Sequence, residues 1–244
     1  MKIFNFMANN YFKFKQFTVC QDKCAMKVGT DGVLIGAWAD CENAKAILDI
    51  GTGTGLIALM LAQRSNAEIH AIEIDDDACD QAKENVTKSP WSNKIRISNI
   101  SLQDYINEKS NSKYDLIVSN PPYFQNSLFA PDEKRTNARH NSSFELEDLI
   151  DITVKLLNDK GNLSIILPYL EATMFIIQAA EKGLYCVRQT KVLPKPGREP
   201  KRLLLEFMKI KKPLIEQEII IELNKRHQYS EAYKNLTKDY YLAF

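Results

Sequence analysis

The sequence predicts an α/β fold: a mostly parallel sheet with helices on both faces and an antiparallel finish. Three observations carry that expectation. Short runs rich in Ile, Val and Leu alternate with segments of helical spacing. The intervals suit parallel crossovers, each of which needs about a dozen residues or more. A glycine-rich turn joins the first such run to the first helix of the alternating series. Composition agrees: 244 residues, 45% hydrophobic and 26% charged, exclude a disordered, collagen-like or disulfide-framework chain and suggest one domain with extensions. Lys+Arg 32 against Asp+Glu 31 leaves a net charge of +1, so only local clustering can point to an anionic partner.

Along the chain, residues 1–17 place Lys, Asn or Gln every few positions and lack the apolar core of a signal peptide. No stretch approaches the ~20 apolar residues of a membrane span, so a cytoplasmic protein is expected. Tyr11–Val19 and the segment through Met26 predict a short hairpin or arm. Buried strands are expected at Ala46–Ile50, Glu68–Ile74, Lys94–Ile100, Tyr114–Ser119 and Asn162–Leu167. Helices are expected at Leu56–Arg64, Asp76–Lys88, Glu145–Asn158 and Tyr169–Lys182. Beyond Lys182, Tyr185–Leu193 and Leu203–Ile210 flank the Pro- and Gly-rich PKPGREPK, which predicts an antiparallel hairpin. Tyr229, Tyr233, Leu236, Tyr240 and Phe244 recur every three or four residues, as in an amphipathic helix. The chain divides into residues 1–45, an arm and a helix; 46–212, the core; and 213–244, a strand and helix of the same domain. Cys20, Cys24, Cys41, Cys79 and Cys186 form no C-x-x-C pair and the three histidines are scattered, so free thiols and no metal site are expected.

The sharpest local feature is Asp49-Ile-Gly51-Thr-Gly53-Thr-Gly55, directly after a strand and before a helix. Glycines there let a ligand approach the backbone and face its free amides. Glu73, at the end of the next strand, is placed to accept ribose hydroxyls. NAD and S-adenosylmethionine share that logic. Asn120-Pro121-Pro122-Tyr123, at the end of the fourth strand and so at the same sheet edge, separates them. The prolines hold the backbone extended. The lone pair of a planar exocyclic amine is delocalised, and the nitrogen becomes a nucleophile only as it pyramidalises. An Asn carbonyl with a backbone carbonyl accepts the two N–H bonds in that geometry, and an aromatic ring beside them stacks on the base.

These residues, with the Gln103-Asp104 pair, resemble the class I S-adenosylmethionine-dependent methyltransferases that act on amino nitrogens. More narrowly, KQFTVCQDKCAMKVGTDGVLIGAWA, the loop with Ala138-Arg139-His140, PKPGREPKRLLLEF and YSEAYKNLTKDYYLAF resemble the bacterial tRNA1(Val) adenine-N6-methyltransferase family. The resemblance covers nearly the whole chain. It implies a Rossmann-like, mostly parallel seven-stranded sheet, S-adenosyl-L-methionine as cofactor, and methylation of the adenine 3′ of the anticodon of valine tRNA. By the same resemblance, Asp49, Gly51, Thr52, Gly53, Gly55, Ile74 and Asn120 line the cofactor, and Glu73 holds its ribose. Asp104 meets its adenine amine, while Asn120, Pro121, Pro122 and Tyr123 take the target base. Lys27, Thr30 and Asp31 belong to an element that closes over the cofactor, with Thr30 or Asp31 capping a helix from Gly32.

An RNA partner agrees with local charge. Cys186 to Lys212 carries nine Lys/Arg against two acids, a candidate phosphate-binding surface on a near-neutral protein. Lys195, Arg198, Lys201 and Arg202 are its centre, with Arg139 and His140 as further candidate contacts and Tyr11–Phe17 as a stacking arm. No membrane, metal or obligate protein partner is inferred. Three rival readings are an NPPY enzyme acting on guanine N2, DNA adenine or protein glutamine, a non-catalytic RNA-binding protein of this fold, and a nicotinamide-dependent oxidoreductase. Only about 45 residues precede the first sheet strand, too few for the N-terminal helical substrate domain of a release-factor glutamine methyltransferase.

Overall fold

The computed structural model describes residues 9–109, 112–122 and 146–244. Tyr123, Arg139 and His140 lie outside the described residues. In chain order the elements are β1 (Tyr11–Lys13), β2 (Thr18–Cys20), α1 (Thr30–Trp38), β3 (Ala46–Ile50), α2 (Leu56–Arg64), β4 (Glu68–Glu73) and α3 (Asp76–Thr87). They continue with β5 (Ile95–Asn99), α4 (Leu102–Glu108), β6 (Tyr114–Ser119), α5 (Leu146–Leu156) and β7 (Leu157–Pro168). The remainder are α6 (Tyr169–Glu181), β8 (Tyr185–Leu193), β9 (Arg202–Met208), β10 (Ile215–Ile220) and α7 (Glu231–Thr237).

The main sheet has the order β10-β8-β9-β7-β6-β3-β4-β5, with β9 antiparallel to both neighbours and every other pair parallel. The expected seven strands are therefore one too few. β10, from the C-terminal segment, pairs in parallel with β8 as an eighth, edge strand. Its sequence IEQEII keeps Glu216, Gln217 and Glu218 in solvent, which protects the open edge from further pairing.

Alternation along the central strands sorts side chains to the two faces. Ile47, Leu116 and Val118 join the core formed with α1, α2 and Tyr233 of α7. Leu48, Ile50 and Ile117 join the core with α4, α5 and α6. Tyr11–Lys13 and Thr18–Cys20 form the expected hairpin. It meets the C-terminal tail: Lys15 N donates to Tyr240 O at 2.8 Å, and Lys15 Nζ donates to the carbonyls of Lys238 and Phe244. The predicted C-terminal helix is shorter than its spacing suggests. It ends at Thr237, after which Tyr240 turns inward, 1% exposed, and its hydroxyl donates to Met60 O at 3.0 Å.

α1 begins at Thr30, not Gly32; Gly29 occupies the cap position and no side chain caps it. Neither Thr30 nor Asp31 therefore acts as the cap. α4 is absent from the sequence expectation, although its signal is present. Ser101 caps the helix by accepting from Asp104 N, and its hydroxyl donates to Asp104 Oδ2, within the spacing S-x-x-D.

Gly161 allows β6 and β7 to approach where their register shifts. A Cβ there would sit 2.9 Å from the carbonyl oxygens of Tyr114 and Asp115. Backbone cannot retreat as a flexible side chain does. Gly161→Ala is expected to destabilise the fold by about 1–3 kcal/mol, read as a lower denaturant midpoint at unchanged m-value.

Candidate active site

Because β3, β4, β5, β6 and β7 are parallel, the loops after them leave from one edge, where open α/β sheets bind ligands. Short bonds tie that edge together. Gly51 N and Thr52 N both donate to Ile72 O, at 3.0 and 3.1 Å, folding the glycine turn onto the end of β4. Ser119 Oγ donates to Ile50 O at 2.9 Å, joining the end of β6 to the end of β3. Gly51, Gly53 and Gly55 have φ of 70°, 56° and 81°, which disfavours any side chain there, and a Cβ at Gly55 would lie 3.5 Å from the Ala82 methyl.

Glu73 closes the arrangement. Its Oε2 accepts from Gly53 N at 2.8 Å, and its Oε1 accepts from Ile74 N and Asp75 N at 2.9 and 3.1 Å. Asp75 then caps α3 by accepting from Ala78 N at 2.8 Å. The carboxylate thus shapes the turn as well as facing the cleft.

A cleft of about 530 Å³ opens here. Gly51, Gly53, Glu73, Ile74, Asn120, Pro121 and Pro122, all singled out from the sequence, line it together. Ile74 presents an apolar surface, 59% exposed, directly after the Glu73 carboxylate. Sequence reasoning missed Cys24, Ala25 and Met26 on one wall and, beside Gln103, Ser101 and Leu102 on another. The second group was findable from the capping motif that starts α4. Asp104 itself lies beside the lining residues, its carboxylate accepting from Ser101 at 2.6 Å. Asn120 also adjoins the first turn of α1: a Cβ built on Gly32 would lie 3.9 Å from Asn120 Nδ2.

The wall containing Cys24, Ala25 and Met26 is held by buried amides. Asn85 Oδ1 accepts from Cys20 N, while its Nδ2 donates to Cys20 O and to Thr54 O in the glycine turn. Gln81 accepts from Lys23 N, and Gln21 accepts from Val28 N. No motif marked these three side chains. Lys27 follows this wall, exposed, and Asp31 pairs with Arg202 at 2.8 Å. That pair brings the start of β9 against α1.

The cleft is electronegative. Burial, then Glu73, Asp75, Asp22 and Asp77 in turn, push the Cys24 thiol up to about 11. Beneath the turn, Asp49 is fully buried; its Oδ2 accepts from Thr52 Oγ1 at 2.6 Å, and its Oδ1 has no hydrogen-bond partner among the described residues. Burial raises its carboxyl to about 7, against the smaller opposing effect of the Thr52 hydroxyl. These features suit a nucleoside ligand that also carries positive charge: open backbone at the glycines, and a carboxylate and apolar surface on adjacent residues. Among the described residues no cluster of His, Cys, Asp and Glu forms a metal site, and no helix is long and apolar enough to cross a membrane. All five cysteines are free.

The basic hairpin loop reaches the same edge, because β8 runs parallel to β7 and ends at Leu193. Several of its charges have partners. Arg188 pairs with Glu206 at 2.7 Å and lies 3.6 Å over the Trp38 ring. Lys195 lies 3.9 Å from Glu222, and Arg202 holds Asp31. Arg198 and Lys201 lie between those two on the loop.

Residues 29–180 match the family model described as the methyltransferase small domain. A tRNA1(Val) (adenine(37)-N6)-methyltransferase of Bacteroides thetaiotaomicron is 52% identical over 238 residues, covering 97% of this chain and 99% of that protein. Proteins of the same name are 48% identical in Trichodesmium erythraeum, covering 98% of this chain and 100% of that protein, and 43% identical in Haemophilus influenzae, covering 96% and 99%. Among solved structures, a predicted O-methyltransferase of Agrobacterium tumefaciens shares the fold with a TM-score of 0.67 at 19% identity, over 86% of this chain and 96% of that one.

A folded pKa raised above the unfolded one means that the fold binds the Asp49 proton more tightly. Stability from this group is therefore full below pH ~4 and is lost as pH rises through about 7. The gap corresponds to an upper bound of about 4 kcal/mol. Asp49→Asn is expected to raise the thermal midpoint at pH 8, with little change at pH 4; calorimetry at both pH values checks it.

Proposed function

The chain belongs to the tRNA1(Val) (adenine(37)-N6)-methyltransferase family, and on that premise we propose that it transfers the methyl group of S-adenosylmethionine to N6 of the adenine 3′ of the anticodon in valine tRNA. The observation that carries this reading is the convergence on one cleft of the glycine turn, Glu73 and Asn120-Pro121-Pro122. The reaction takes place in the cytoplasm, where tRNA is modified.

The cofactor supplies an electrophilic methyl group on a cationic sulfur. Gly51 and Gly53 would admit it to the backbone, Glu73 would accept from its ribose hydroxyls, and Ile74 would offer its adenine an apolar surface. Asp49 and Thr52 support the turn from below, and the negative charge of the cleft favours the cation. Asp104, at the mouth, receives the adenine amine of the cofactor. Lys27 and Thr30 belong to the segment that closes over it.

The target adenine leaves its stack to reach the nitrogen-binding residues. The side-chain carbonyl of Asn120 and the backbone carbonyl of Pro121 accept the two N6 hydrogens, and Tyr123 stacks on the ring. With its lone pair freed by pyramidalisation, N6 would take the methyl group that the bound cofactor would supply, and its surplus proton would pass to water. The Asn120 hydrogen bond strengthens toward the transition state, so it acts on rate more than on binding. Pro121 and Pro122 hold the backbone so that little is reorganised at that moment.

Lys195, Arg198 and Lys201 bind tRNA phosphates, with Arg139 and His140 as further RNA-binding residues. Arg202 acts mainly through Asp31, by fixing the loop against α1.

Asn120→Ala is expected to lower kcat by roughly 10²–10³ with an almost unchanged cofactor Kd, measured by single-turnover kinetics and calorimetry. Loss of cofactor binding with turnover retained would contradict the role given to Asn120. Neutralising Lys195, Arg198 and Lys201 together should weaken tRNA binding and flatten its log K against log salt slope by about 0.7–0.9 for each phosphate no longer neutralised. Cofactor affinity should stay constant, and a salt series on wild type and variant reads both.

A further inference from the structure

A second cleft, of about 640 Å³, is bordered by the continuation of the segment that walls the first. Cys24, Ala25 and Met26 line the first cleft, and Val28, Gly29 and Thr30 line the second. Met26 and Val28 are two residues apart, at most about 7 Å of chain. The far side of the second cleft is aromatic: Phe12, Tyr229, Tyr233, Tyr241 and Phe244. Tyr233 is buried at 3% exposure and stacks under Tyr229, with centroids 5.3 Å apart at 27°. Phe12, Tyr229, Tyr241 and Phe244 are half-buried. Tyr241 also stacks on the buried Phe14 at 6.0 Å and 30°, and Phe244 meets Tyr229 edge-on at 5.1 Å. Rings backed in this way hold their positions before any ligand arrives, at little further entropic cost.

Where acids crowd the wall of the first cleft, this one balances a lysine against a single acid and adjoins a basic loop. Lys13 lines it, and Pro194 brings in the loop of Lys195, Arg198 and Lys201. The one acid in its lining, Glu222, lies 3.9 Å from Lys195 and accepts from His227 N. Aromatic rings with Lys13 beside them and a basic loop adjoining fit a nucleotide, base on ring and phosphate on lysine. A volume of about 640 Å³ lies within the usual range of ligand sites.

Resting on the functional reading above, we propose that this cleft receives the base of a nucleotide adjoining the target adenine. Splitting two neighbours across the Cys24–Thr30 segment unstacks the target and delivers it to Asn120. Stacking accepts any base, so the cleft grips the RNA loop without reading its sequence.

The test uses valine tRNA assembled with an abasic site at one or the other neighbour of the target adenine, methylated by the wild-type enzyme and by Tyr229→Leu and Phe12→Leu. At one of the two positions the wild-type KM for tRNA is expected to rise about five- to a hundredfold, with kcat retained. Each variant should raise KM on intact tRNA and lose nothing further on that abasic tRNA, because the stacked base is already missing there. Methylation of the intact tRNA with unchanged KM at both abasic positions, or losses that add, would overturn this proposal alone. Failure of the wild type to methylate intact tRNA would overturn the functional reading and this proposal with it. The substrate arm needs only wild-type enzyme, so a poorly folding variant does not protect the idea.

Discussion

The carboxylate of Glu73 is the constraint on which the active edge depends. Two oxygens at the end of one strand take three backbone amides, one from the glycine turn and two from the start of the next helix. Three glycines at positive φ have no side chains to stabilise that turn. Hydrogen bonds to a charged group contribute about 1.5–3 kcal/mol each, comparable with the ~1–2 kcal/mol of backbone entropy lost per ordered residue. The same group that faces a ligand therefore holds the loop that receives it, and substitutions at Glu73 act on structure and binding together.

A chain of net charge +1 sorts its charge locally. Glu73, Asp75, Asp22 and Asp77 stand near the wall of one cleft and add to the effect of burial in raising the Cys24 thiol. Lys13 and the Pro194–Lys201 loop border the other. One segment borders both, fixed by the buried amides of Gln21, Gln81 and Asn85. On the proposed reading, a cationic cofactor and an anionic nucleic acid would each meet the charge that suits it. The Arg202–Asp31 pair keeps the basic loop beside the helix that borders Asn120.

Much of this was legible in the sequence because the central strands are buried on both faces. Ala46–Ile50 and Tyr114–Ser119 are found where their apolar runs predict. The glycine turn and the Asn-Pro-Pro segment meet because parallel topology brings strand ends together. The residues missed are those whose role is made by tertiary contact. Asn85 and Gln81 read as ordinary polar helix residues, yet they are 1% and 0% exposed and bind the arm. β10 is polar on its open side, and only pairing with β8 identifies it as part of the sheet. The tail imitates a long helix because its aromatic spacing serves both the short helix and the turn after it, where Tyr240 enters the core.

The central claim, methyl transfer to the adenine 3′ of the anticodon, is tested most directly by nucleoside mass spectrometry. Unmodified valine tRNA would be incubated with the protein and S-adenosylmethionine bearing a deuterated methyl group, then digested and mapped. The account predicts one labelled N6-methyladenosine, in the fragment that contains the 3′ end of the anticodon. Label in guanine, in another tRNA position or in protein glutamine, or no transfer by a protein that binds the cofactor, would contradict it.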